Sequence, residues 1–211
     1  MIKVFFLIFE PSVAWEKIAR ARRGIFFITF IHILPLLLVA TAAESWGLQN
    51  HGKWQPKFQK FREFQPQEII TYETIQFVLL LTVVFISALL VFKVSQTFQD
   101  RQKFLPSFTV VAYGFSPIFL FHLLDAGATM NPATSWLIGM ALTMWILYQG
   151  IPRVMQPDPT HAFGVYLSSI FVVLLTSGLE RLITGMYLLG YMDFQHSWLS
   201  RKIPHLLGHN F

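Results

Sequence analysis

The chain has no cysteine among its 211 residues. Disulfides, thiol nucleophiles and thiolate metal sites are therefore excluded, and redox chemistry is silent about compartment. Charge is nearly as scarce: Asp, Glu, Lys and Arg make up 13% of the chain against 54% apolar residues, a balance that a soluble domain of this size would not keep in water without aggregating. The scarcity is also organised, because the stretches 24–43, 74–92, 104–124, 126–152 and 159–179 contain no charged residue at all. A helix needs about 20 residues at ~1.5 Å each to cross a ~30 Å hydrocarbon core, so these runs predict membrane spans. Enzyme signatures are missing too. There is no glycine loop ending in Lys-Ser/Thr, no serine elbow, and no carboxylate pair deep within two runs. We find no internal repeat or low-complexity tract.

The implied fold is an all-α membrane protein, a bundle of five transmembrane helices with spans near 24–43, 70–92, 105–124, 133–151 and 162–181, preceded by an amphipathic segment at 1–23. Within that segment Val4, Phe5, Leu7, Ile8, Trp15 and Ile18 alternate with Lys3, Glu10, Lys17 and Arg20, and Pro11-Ser12 can start a short helix. It is expected to lie in the membrane interface, with docking onto a soluble partner as the rival reading. Lys17, Arg20, Arg22 and Arg23, just before the first span, are candidate contacts to anionic headgroups. Most tryptophans fall near span ends, as interfacial anchors do; Trp145 lies deep in a span. Basic residues followed by 25–39 and Ala40-Thr41-Ala42 imitate a secretory signal, but the preceding segment is long and aromatic for one. The connection 44–68, where Lys53, Lys57, Lys60 and Arg62 interleave with Trp54, Phe58, Phe61 and Phe64, reads as a second interfacial segment.

A net charge of +5 places basic residues beside spans rather than in an aromatic-rich folded patch, which speaks against nucleic-acid binding. With the N-terminus in the cytoplasm, nine Lys and Arg fall inside and seven outside, which favours N-inside and C-outside. The fifth span poses a length problem, since 162–191 as one helix would be about 45 Å long. A bend or projection is expected there, with Glu180-Arg181 at the outer interface.

That topology brings Glu73, His122, Asp125, Glu180 and Arg181 to a similar depth at the outer end of the bundle. Desolvation makes each such group demand a partner. The favoured expectation is structural, with Arg181 pairing to Glu73 or Asp125; an ion or headgroup site is the alternative. His122 and Asp125 share a helix face, but two ligands from one helix do not make a metal site. His32, mid-span, is expected to be hydrogen-bonded inside the bundle, near bends at Pro35 and Pro117. His205 and His209 lack the acidic residue of a zinc-binding His-Glu-x-x-His motif and read as a solvated tail. No cofactor or metal is expected.

Three segments carry a family resemblance. They are Phe9-Glu10-Pro11-Ser12-Val13-Ala14-Trp15-Glu16-Lys17-Ile18, Val111-Ala112-Tyr113-Gly114-Phe115-Ser116-Pro117, and Leu147-Tyr148-Gln149-Gly150-Ile151-Pro152-Arg153-Val154-Met155. In order and spacing the chain resembles the bacterial branch of the Yip1 family. The resemblance implies a five-helix domain in the bacterial inner membrane with a cytoplasmic N-terminus, and a helix bend with close packing at Tyr113, Gly114 and Pro117. Eukaryotic members are associated with Golgi and endoplasmic-reticulum trafficking and with small GTPases, but their long N-terminal extension has no counterpart here, so GTPase binding is not carried over. The functional expectation is a non-enzymatic scaffold or membrane-organising protein. Its expected partners are the lipid bilayer, anionic headgroups, and another membrane protein or a second copy of itself. The alternative is a small transporter or channel using the outer polar cluster.

Overall fold

Helices outrun the uncharged stretches that encode them. The computed structural model describes residues 2–98 and 103–192, with side chains from residue 6 onward. Two short helices, α1 (Ile2–Phe9) and α2 (Pro11–Ala21), precede α3 (Ile25–His51). A small hairpin, β1 (Lys53–Gln55) and β2 (Lys60–Arg62), leads into α4 (Pro66–Thr97). Three further helices follow, α5 (Phe104–Ala126), α6 (Pro132–Val154) and α7 (Ala162–Leu188). By length and composition α3, α4, α5 and α7 are long and apolar enough to cross a membrane. α6 has the length, at 23 residues, but is not among those four; Trp136, Trp145, Tyr148 and Gln149 interrupt its aliphatic run.

α5 runs through the middle. Of its apolar window 72% is buried, against 28–39% for the other three, which therefore turn most of their surface outward. Outward-facing Phe26, Phe30, Leu38, Phe163 and Phe171 form an apolar exterior suited to acyl chains. Tyr113, Phe108, Phe115 and Phe119 of α5 fill the core, joined by Trp15. α5 is interrupted at Phe115, where Pro117 offers no N–H to the preceding turn. Beside the break, the carbonyl of Gly114 accepts from Thr143 Oγ1 at 3.0 Å. A π turn at Thr29–Ile33, just before Pro35, widens α3 and presents His32, whose Nε2 lies 2.9 Å from Ser116 Oγ.

Two expectations need correction. Trp15 is no interfacial anchor: it is fully buried, its indole N–H donates to the Ile146 carbonyl at 3.0 Å, and the apolar face of α2, with Ala14 and Ile18, packs against α6. The segment 44–68 is not a single interfacial stretch, because α3 continues through Glu44 to His51 and the hairpin completes the connection. Gly52 makes that turn at φ +64°, where a Cβ would lie 2.4 Å from the Arg62 carbonyl oxygen. Of the bend or projection expected for the last helix, the bend is absent: α7 does not break at Glu180-Arg181. It is one helix of 27 residues, roughly 40 Å long at ~1.5 Å per residue.

α3 and α5 come closest where Gly47 meets Ala126; a Cβ on Gly47 would stand 2.3 Å from the Ala126 carbonyl oxygen. Gly24, by contrast, has nothing within 4 Å. Gly47→Ala should therefore destabilise the detergent-solubilised protein by about 1–3 kcal/mol, while Gly24→Ala should melt like the wild type. Equal melting temperatures for the two variants would contradict this packing.

Candidate functional site

All five long helices send a polar side chain to one buried spot at the end of the bundle nearest the hairpin. α3 contributes Glu44, α4 Glu73 and Gln76, α5 His122 and Asp125, α6 Ser135, and α7 Glu180 and Arg181; each is at most 8% exposed. The five residues singled out in the sequence are thus neighbours in space. α3 and α4 reach the spot because they extend beyond their uncharged runs, carrying Glu44, Glu73 and Gln76 on faces that point inward.

Arg181 is the hub. Its Nη2 is ion-paired with Asp125 Oδ2 and lies 2.8 Å from Ser135 Oγ, while Nε donates to the Pro132 carbonyl at 2.8 Å. Ser135 donates in turn to Asp125 Oδ1 at 2.7 Å, so both carboxylate oxygens are engaged. His122 links this pair to the opposite helices. Its Nδ1 is 3.0 Å from Asp125 Oδ2, and its Nε2 is 2.8 Å from Glu44 Oε2 and in contact with Gln76 Nε2. Gln76 donates to Glu44 Oε2 at 2.9 Å. A carboxylate, an imidazole, a second carboxylate and a guanidinium thereby form a chain across α3, α5 and α7. Arg181 pairs with Asp125 and not with Glu73, whose two oxygens have no hydrogen-bond partner among the described residues.

The hairpin closes this end of the cluster. Lys53, 1% exposed, donates from Nζ to the carbonyls of Asp125 at 2.8 Å and Gly127 at 3.0 Å. Trp54 N–H donates to the Ala128 carbonyl at 2.9 Å, and Gln55 Nε2 to the Leu188 carbonyl at 3.2 Å, capping α7. Burial pushes Lys53 below its ordinary value of 10.5, an effect that Asp125 and Glu44 oppose. Because Lys53 sheds its proton more readily in the folded chain, the unfolded chain binds more protons just below pH 10.5, and stability rises with pH across that window.

Glu44, His122 and Asp125 offer ligand atoms that all lie within 4.8 Å of one another. Imidazole and carboxylates suit a first-row divalent ion. Arg181 already sits on Asp125 Oδ2, however, so an ion there would set two positive centres against one carboxylate. A small cavity touches the cluster, about 10 Å³ between Leu80, Ile118, Phe119, Trp136 and His122, Glu180 and Arg181. That volume is near the lower limit for a single water.

The other singled-out residues lie elsewhere. Tyr113, Gly114 and Pro117 are buried at the break in α5, with the Tyr113 ring 4.1 Å from that of His32. Lys17 and Arg20 are exposed on α2, and Arg20 lies 3.5 Å from Glu16. Arg23 stacks 4.5 Å over Phe27, and Arg22 ends α2 in the left-handed region at φ 41°. His205 and His209 lie outside the described residues. Glu44, Gln76, Lys53 and Ser135 were not foreseen. Glu44 carried one signal, its position directly after an uncharged run, where a longer helix would draw it inward.

Four apolar helices around a buried ionic cluster define a multi-pass helical membrane protein. The chain belongs to the Yip1 family: the family model described as Yip1 domain matches residues 5–179, covering α2, every long helix except the end of α7, and most of the cluster. Members of this family are generally non-enzymatic membrane proteins. Searches among curated proteins and among solved structures each returned no match.

The pairing of Arg181 can be tested directly. Arg181→Leu strands the Asp125 carboxylate and should cost about 3–5 kcal/mol, most of which Asp125→Asn should restore in the double variant. Additive losses in that cycle, measured by denaturation in detergent, would contradict the pairing. For Lys53, the wild type should gain stability relative to Lys53→Met as pH is raised towards 10.5; parallel pH profiles would show that its burial is not felt.

Proposed function

We propose that this chain is a non-enzymatic, membrane-organising scaffold. Its five helices cross a bacterial inner membrane, with the N-terminus cytoplasmic and the hairpin and the end of α7 on the outer side. The reading rests above all on the closure of the ionic cluster. Four carboxylates, one histidine, one arginine and one lysine meet where a transport pathway would need water, yet the cavity beside His122, Glu180 and Arg181 is about 10 Å³. Between His32 and the cluster stand Phe115, Phe119 and Ile118, all at most 5% exposed. A site this tight locks helices together. It does not pass ions, and its role is to fix the shape of an apolar exterior that other membrane components meet.

Two further features support the placement. The basic residues divide nine to seven in favour of the N-terminal side, as the positive-inside rule requires. α6 lies between α5 and α7 with an outward-facing surface of Leu137, Ile138 and Trp145, so it can serve as a fifth span despite its lower apolarity.

Proteoliposome flux separates scaffold from transporter. Vesicles containing the protein should dissipate an imposed proton or cation gradient no faster than empty vesicles, and Arg181→Leu should lower protein yield without changing flux. A protein-dependent flux that Glu73→Gln or His122→Ala abolishes would overturn the scaffold reading in favour of transport.

A further inference from the structure

At the opposite end of the bundle, four cations from three separate segments converge on one open cleft. Arg22 and Arg23 come from the end of α2, Lys103 from the N-cap of α5, and Arg153 from the last turn of α6. The cleft holds about 410 Å³, and among the described residues no carboxylate lines it. Among the described residues, the ion pairs made by Lys or Arg are Arg20 with Glu16, Arg62 with Glu68 and Arg181 with Asp125, so none of the four has a carboxylate partner. Here the chain has gathered positive charge without neutralising it. That is the reverse of the cluster at the other end.

The walls tell what kind of anion fits. Ile18, Ile28, Leu105 and Val154 line the same cleft as the cations, so a ligand with one charged end and one apolar end would satisfy both. Arg153 is already oriented, its Nη1 donating to the Gln149 carbonyl at 2.8 Å and to Gln149 Oε1 at 2.7 Å. Its Nε and Nη2 make no protein hydrogen bond among the described residues, which leaves one edge of a planar fork, the geometry that suits phosphate oxygens. α5 begins at Phe104, so its positive helix end opens at the rim beside Lys103. Tyr113, next to the break in α5, also lines the cleft.

We propose that this cleft binds the phosphate headgroup of an anionic phospholipid, with the start of an acyl chain against Leu105 and Val154. The site goes beyond the scaffold reading and does not depend on it, since it requires neither the closed cluster nor any partner protein. It differs from a general attraction of basic residues to a charged membrane surface in being concave and discrete: Lys17 and Arg20, equally basic and close in sequence, do not line it. Bound lipid would bridge α2, α5 and α6, pinning the N-terminal helices to the bundle.

The test uses the full chain in a nonionic detergent, with native mass spectrometry to count lipids retained after adding phosphatidylglycerol, phosphatidylcholine or inorganic phosphate. Removing a near-surface cation should weaken anionic-lipid binding by roughly fivefold, so Arg22→Gln/Lys103→Gln/Arg153→Gln should lose at least about tenfold in phosphatidylglycerol retention. Lys57→Gln/Lys60→Gln, on the hairpin at the other end, should retain it as the wild type does. Excess inorganic phosphate should not displace the lipid. Should the triple variant fail to fold, the single exposed Lys103→Gln supplies the same comparison with a smaller loss. Equal retention of phosphatidylglycerol by variant and wild type, equal retention of phosphatidylcholine, or displacement by inorganic phosphate would each overturn the proposal; the last would assign the cleft to a free anion.

Discussion

Arg181 buried against Asp125 constrains the fold more than any other contact. A guanidinium and a carboxylate taken out of water each lose several kcal/mol of solvation, and only close mutual pairing with further hydrogen bonds offsets that loss. The surrounding structure supplies those bonds from every side: Ser135 from α6, the Pro132 carbonyl at the start of α6, and His122 from α5. His122 then engages Glu44 of α3, and Gln76 of α4 completes the ring. Apolar packing alone would leave these helices free to slide, since lipid chains contact leucine and phenylalanine as well as a neighbouring helix does. A polar network with fixed partners sets their relative depth.

The two ends of the bundle handle charge in opposite ways. Near the hairpin, Glu44, His122, Asp125 and Arg181 are linked to one another and covered by Lys53 of β1, and the cavity beside His122, Glu180 and Arg181 is about 10 Å³. Near α2, cations stand open around about 410 Å³ with no acid among the lining residues. Between them lies the break in α5, where Gly114, Phe115 and Pro117 let the helix turn and His32 meet Ser116. One end therefore holds the helices in register while the other is available for contact, and the interrupted central helix α5 connects the two.

Much of this was legible in the sequence. Runs without charge located the helices, because lipid tolerates no unpaired charge, and the charges flanking them put Glu73, His122, Asp125, Glu180 and Arg181 at one level. Pro117 announced the break in α5 through its missing donor. What could not be read were the helix ends. Glu44 was assigned to a loop since charge normally ends a span, yet α3 carries it inward where His122 and Gln76 receive it. Lys53 and Gln55 lie on a three-residue strand, too short for any alternation to register, and reach their partners through chain folding rather than spacing. Trp15 looked like a membrane anchor because its amphipathic neighbourhood suits lipid and protein equally; only the gap at Gly150 of α6 decides between them. The choice of Asp125 over Glu73 as the partner of Arg181 likewise depends on helix rotation, which sequence does not state.

The central claim is that the ionic cluster is closed to water. A chain without cysteine allows that to be tested with single introduced thiols. Thr184→Cys would place one beside Glu180 at a position 3% exposed, and Lys57→Cys would place another on the exposed hairpin. With a membrane-impermeant maleimide applied to membranes from either side, the account predicts that Lys57→Cys labels readily from the outer side and that Thr184→Cys stays unlabelled until the protein is denatured. Labelling of Thr184→Cys in the folded protein at a rate comparable to Lys57→Cys would show water inside the cluster and contradict the account.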